Sequence, residues 1–115
     1  MKISLEEFPQ KVKPIRDNEV YSVHDLDVLK HLMVSMTILH PGKCTKGHAH
    51  EGDQEEVYIF LEGSGEMQLD QEKFPVKKGD VVLIKSRVFH KVFNTQKEGD
   101  LKFLCIFEKY EGRGK

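Results

Sequence analysis

Three histidines and a pair of glutamates carry the chemistry written into this chain. His48 and His50 stand two residues apart in Gly47-His48-Ala49-His50. On extended backbone, side chains alternate between faces, so the two imidazoles point the same way. Glu55 or Glu56, on the strand expected to follow, can reach the same point, and His90 is the downstream histidine that would complete the set. Neutral imidazoles with one carboxylate suit a divalent transition metal such as Mn, Fe, Ni or Zn. Four protein ligands on an octahedral ion leave positions open for a small molecule.

Positioning these groups is a job for strands, because helical periodicity is almost absent. His31 to His40 alternates apolar and polar residues through Leu32, Val34, Met36 and Ile38, and Pro41-Gly42 stops it. A strand carrying His48 and His50 is expected next, followed by the polar turn Glu51-Gly52-Asp53-Gln54. Val57 to Leu61 then reads as a compact strand closed by Glu62-Gly63-Ser64-Gly65. Short runs at Glu66 to Leu69, Phe74 to Val76, Val81 to Ile84, Val88 to Phe93 and Leu101 to Phe107 complete the pattern. Strands of this length and spacing predict an all-β fold, a single antiparallel β-barrel or jelly-roll sandwich.

Residues 1–30 are less regular. They read as an N-terminal segment with an edge strand and a single helical turn near Asp25 to Leu29. The β domain is expected over residues 31–110, and 111–115 as a frayed tail. Apolar Ile15, Val20 and Val23 lie outside the motif blocks, and covering them against a second copy predicts a homodimer.

The bulk numbers exclude several classes. The 115 residues make one domain's worth of chain, with 32% charged and 38% hydrophobic side chains, a globular composition. No apolar stretch approaches the roughly 20 residues of a spanning helix, and the N-terminus lacks a signal-peptide core, so a cytoplasmic location is expected. Eighteen basic and 19 acidic residues are intermixed, which leaves no basic stripe for nucleic acid. Cys44 and Cys105 are the only cysteines. Without CxxC spacing they read as two reduced thiols, Cys105 in the core and Cys44 near the site.

The blocks around these residues resemble the two motifs of the cupin superfamily. In the first, Gly42, His48, His50, Glu56 and Gly63 fall along G-x5-H-x-H-x(3–4)-E-x6-G. In the second, Gly79, His90 and Asn94 fall along G-x5-P-x-G-x2-H-x3-N, with Lys85 and Arg87 replacing the family's Pro and Gly. Counting from His50 selects Glu55, whereas counting back from Gly63 selects Glu56. A one-residue slip would turn every strand side chain over, while the preceding loop absorbs an extra residue, so Glu56 is preferred.

The resemblance covers residues 31–107 and implies a cupin barrel holding one divalent metal through His48, His50, Glu56 and His90. Asn94 is expected to brace the chain after His90, and His24, His31 and His40 to be surface or hydrogen-bonded residues. Thr45-Lys46-Gly47-His48-Ala49-His50, Glu56-Val57-Tyr58 and His90 with Asn94 are further similar to the TxGHxH, ExY and Hx3N signatures of archaeal cupin-type glucose-6-phosphate isomerases. That similarity implies a metal-assisted isomerase acting on an anionic, carbohydrate-like small molecule. Glu55 or Tyr58 is the candidate base, and Thr45, Lys85 and Arg87 are candidate substrate contacts. An Fe(II) dioxygenase and a non-catalytic metabolite-binding or sensing protein use the same ligand chemistry and stand as alternatives.

Overall fold

In the computed structural model, residues 1–111 are described, and the expected frayed tail lies outside them apart from Glu111. A four-residue helix, α1 (Phe8–Lys11), precedes nine strands. These are β1 (Arg16–Asp17), β2 (Tyr21–Leu26), β3 (Leu32–Leu39), β4 (Glu56–Glu62), β5 (Ser64–Leu69), β6 (Glu72–Lys77), β7 (Val81–Ile84), β8 (His90–Phe93) and β9 (Leu101–Glu108). All pairings are antiparallel. They build a six-stranded sheet in the order β1-β2-β3-β9-β4-β7 and a three-stranded sheet β6-β5-β8.

The two sheets face one another across a shared core. Leu39, Phe60, Leu101 and Phe103 from the larger sheet meet Met67, Val76 and Val92 from the smaller. Among the described residues no continuous ladder joins the sheets into one closed barrel, so of the two expected forms the strands make a sandwich. The passage between sheets explains this. β4 belongs to the larger sheet and β5 to the smaller, and Gly63 alone separates them, with φ +88°. A side chain there would meet the Asp100 carbonyl oxygen at 2.7 Å, so both the backbone twist and the close approach require glycine.

Period-two alternation decides which side chains reach the interior. Along β4, Glu56, Tyr58 and Phe60 are buried in the sandwich, and Val57, Ile59 and Leu61 face outward. That outer face is not left wet. The N-terminal segment crosses it, and Phe8 packs with Met36 and Leu104, flanked by Ile3, Val12, Ile59 and Leu61.

Two local expectations are corrected here. Asp25 and Leu26 end strand β2, paired with Ser35 and Val34, rather than starting a helical turn. Ladder bonds to β3 outcompete the weak local helical preference of Asp25 to Leu29. The segment carrying His48 and His50 is a loop with isolated bridges, Cys44 to Phe93 and His48 to His90, rather than a strand. His90 is the first residue of β8, and Val88 before it is turned back by its N–H to the Lys85 carbonyl at 3.3 Å, so nothing extended remains for Ala49 and His50 to pair with. The N-terminal apolar residues also find partners within the chain. Val23 is buried and Val20 packs on the core, leaving Ile15 exposed.

Candidate metal centre

Three pieces of chain deliver the four side chains to one end of the sandwich. Glu56 opens β4 on its inward face, His90 opens β8, and His48 and His50 come from the loop that bridges onto β8. The His48–His90 bridge is reciprocal, with His48 N–H to the His90 carbonyl at 3.1 Å and His90 N–H to the His48 carbonyl at 2.9 Å. Thr45 extends this seam. Its N–H donates to the Val92 carbonyl at 2.9 Å, and its hydroxyl accepts from the Val92 N–H at 3.0 Å.

The ring centroids of His48 and His90 are consequently 4.3 Å apart, and those of His48 and His50 5.1 Å. One potential ligand atom from each of His48, His50, Glu56 and His90 lies within 4.8 Å of all the others. Ligands on opposite sides of a first-row ion are about 4.2 Å apart at bond lengths of about 2.1 Å, so the cluster needs only a small contraction to close on one ion. His50, Glu56 and His90 are buried, while His48 sits at the open side.

Hydrogen bonding shows why these donors suit a cation. His90 Nδ1 donates to the Val88 carbonyl at 3.0 Å, which leaves Nε2 as a bare lone pair. Nε2 is fully buried and has no hydrogen-bond partner among the described residues, yet lies 3.2 Å from Glu56 Oε1. The short separation and the missing hydrogen bond agree once both atoms are treated as acceptors aimed at a common point. Two buried acceptors face to face repel, and a positive ion between them removes that cost. His50 Nε2 contacts the same Glu56 oxygen. Burial pushes the Glu56 carboxyl up, but where protons on the His50 and His90 rings take the place of such an ion, their hydrogen bonds and charge outweigh it and hold the carboxyl at about 2. Glu56 is thus a carboxylate at neutral pH, the form a metal takes.

The cluster opens into a cavity of about 430 Å³, within the usual range for small-molecule sites. Thr45, Lys46, Tyr58, Phe103, Cys105 and Tyr110 line it beside His48, Glu56 and His90. Tyr58 stands edge-on to His90 with centroids 5.7 Å apart, and Tyr110 edge-on to His50 at 4.8 Å.

Of the remaining sequence candidates, Glu55 is exposed, one residue out of phase with Glu56. Lys85 and Arg87 are exposed and do not line the cavity, and Arg87 pairs with Asp53 at 3.2 Å. Cys44 is an exposed free thiol outside the cluster. Asn94 donates to the Leu39 and Gly99 carbonyls at 2.9 and 3.0 Å, the expected brace after His90. His24 is buried, bonded to the Val12 carbonyl and the Ser22 hydroxyl, and His40 meets Asp100 at 3.1 Å. Sequence reasoning missed Arg16 and Tyr110, both cavity-lining. Neither lies in a motif block, and only the sheet order and the turn after β9 bring them to the site.

Comparison with known proteins follows the same outline. A protein of Methanocaldococcus jannaschii described as uncharacterised is 37% identical over 110 residues, covering 91% of this chain and 86% of that protein. A glucose-6-phosphate isomerase of Pyrococcus abyssi is 35% identical over 116 residues, covering 90% of this chain. The chain spans 60% of that isomerase's length. Among solved structures, a Klebsiella pneumoniae protein with a double-stranded β-helix domain superposes with a TM-score of 0.77 at 19% identity, covering 93% of this chain and 88% of that one. The cupin domain profile matches residues 35–107, from β3 through β9 and across all four clustered side chains. The chain therefore belongs to the cupin family.

Proposed function

We propose that this protein binds one divalent transition metal through His48, His50, Glu56 and His90 and uses it to isomerise a small, anionic sugar derivative. The observation that carries this reading is the buried, unpartnered His90 Nε2 facing a carboxylate oxygen, an arrangement that favours a cation. An ion held there supplies Lewis acidity toward a substrate oxygen. The Pyrococcus abyssi relative supports sugar-phosphate isomerisation over other uses of the same site.

Aldose–ketose interconversion needs no oxidant or reductant. A hydrogen leaves one carbon as a proton and returns to the neighbouring former carbonyl carbon, while the hydroxyl proton passes to the carbonyl oxygen. Within this chain, Tyr58 is the acid–base candidate that lines the cavity, and its inward position on β4 follows from that of Glu56. Glu55, exposed, is the weaker base. Apolar Phe103 and Phe107 on the wall limit water around the reacting carbons. Exposed Val81 and Leu83 on end strand β7 support pairing of two copies along that edge.

The test is solvent exchange. Protein loaded with Mn, Fe, Ni or Zn is incubated in deuterated water with glucose 6-phosphate, mannose 6-phosphate and fructose 6-phosphate. Deuterium should enter the carbon beside the carbonyl, and Tyr58→Phe should slow its entry. No exchange with any sugar phosphate in any metal form would remove the isomerase reading.

A further inference from the structure

Left-handed backbone outside glycine is uncommon, and it persists where the surrounding structure holds it in place. Among the described residues it occurs twice, at Asp70 with φ 50° and at Arg87 with φ 67°. Both flank Phe89, the residue before His90. Arg87 lies two places upstream in the chain, while Asp70 reaches Phe89 from the turn between β5 and β6.

The contact with Asp70 runs both ways. The Asp70 N–H donates to the Phe89 carbonyl at 2.8 Å, and the Phe89 N–H donates to Asp70 Oδ1 at 3.0 Å. The β5–β8 ladder ends one step earlier, at Leu69 opposite His90. Had it continued, the Phe89 N–H would have gone to the Asp70 carbonyl. The left-handed turn instead directs that carbonyl to Gln68, accepting from Nε2 at 2.8 Å, and the carboxylate replaces it as acceptor.

Phe89 carries this constraint to both histidine-bearing segments. One peptide joins it to His90, and its ring lies on Gly47, the residue before His48. A Cβ at Gly47 would stand 2.6 Å from Phe89 Cζ. The reciprocal backbone bonds between His48 and His90 then tie the two segments together. None of these contacts uses an imidazole, so they fix where the rings are carried and leave the rings free to face an ion.

We propose that Asp70 is a positioning residue for the metal centre, setting through Phe89 the placement of His48 and His90. The inference rests on the metal reading of that cluster and adds to it a residue that lies between the two motif blocks.

The full chain is compared as parent, Asp70→Asn, Asp70→Gly and Phe89→Leu. Glycine keeps the left-handed turn and removes only the carboxylate, whereas asparagine keeps an acceptor and tolerates the turn. Asp70→Gly should weaken Co(II) in chelator competition by about fivefold, the scale of one exposed hydrogen bond, and shift the visible Co(II) bands. Asp70→Asn should restore both toward the parent. In metal-free protein, hydrogen exchange at the His48 and His90 amides should quicken in Asp70→Gly and, at His48, in Phe89→Leu. The Met36 and Leu104 amides of the β3–β9 ladder should not change. Parent-like spectrum, affinity and exchange in Asp70→Gly would overturn the positioning role. An equal loss in Asp70→Asn, or equal quickening at Met36 and Leu104, would overturn it as well, and unchanged His48 exchange in Phe89→Leu would remove Phe89 as the route. A parent that binds no Co(II) would sink the metal reading instead, and the exchange rates then judge Asp70 alone.

Discussion

Replacing Glu56 by Gln in the metal-free protein isolates the electrostatics of the cluster. Burial raises the Glu56 carboxyl, but with no ion present protons on the His50 and His90 rings take its place, and their hydrogen bonds and charge hold the carboxyl at about 2 against an ordinary 4.5. The folded value lies below the unfolded one, so the folded state binds fewer protons. The contribution is therefore fully present above pH 4.5 and is lost as pH falls through about 2. At about 1.4 kcal/mol per unit, the shift corresponds to about 3 kcal/mol. With an unfolding entropy of about 2.1 cal/mol/K per residue, that is a melting-temperature difference of about 13 °C for a chain of this length. The assay is thermal unfolding of the parent, Glu56→Gln and Glu55→Gln in chelator across the acid range. The parent should lose its advantage over Glu56→Gln as pH falls through that window, while Glu55→Gln, altered at an exposed site, tracks the parent. Parallel curves for parent and Glu56→Gln would refute the electrostatic argument. Divergence of Glu55→Gln instead would move the carboxylate by one residue.

Other outcomes follow from the same geometry. His50→Ala removes a buried donor beside Glu56, and should lower metal affinity at least a hundredfold in competition with a colorimetric chelator. A Cβ at Gly65 would stand 2.2 Å from the Phe93 carbonyl oxygen between β5 and β8, so Gly65→Ala should lower stability by about 3 kcal/mol in urea titrations. If two copies pair along β7, light scattering should report a dimer for the parent and a monomer for Leu83→Lys, since Leu83 is 70% exposed in the single chain. A parent monomeric at micromolar concentration would end the pairing proposal.

Much of this candidate site is legible in residue order because its side chains sit in short local patterns. His48 and His50 are two apart, and strand phase selects Glu56 over Glu55, since Glu56, Tyr58 and Phe60 must share the buried face. Strands β3 to β9 are equally plain, most of them short apolar alternations ended by a Gly or Asp turn, whereas β1 and β2 lie in the segment whose pattern is irregular. What the sequence hides is set by partners far along the chain. Arg16 enters the cavity wall only because β1 pairs with β2 and β2 with β3, a sheet order no local pattern encodes. Lys85 and Arg87 adjoin His90 in sequence, yet the turn at Val88 separates them from it, and Arg87 is drawn to Asp53. The loop form of residues 48–50 likewise depends on where β8 begins, which is a property of the partner strand.

Convergence of four side chains on one ion is read out by elemental analysis of protein purified without chelator. Paired samples of the parent and of the His48, His50 and His90 triple alanine variant, each shown folded by circular dichroism, are measured by inductively coupled plasma mass spectrometry after dialysis against a mixture of Mn, Fe, Ni and Zn. Close to one divalent transition metal per parent chain is expected, with near-complete loss in the variant. A triple variant that keeps the parent's metal content, or a parent that retains none under any loading condition, would contradict it.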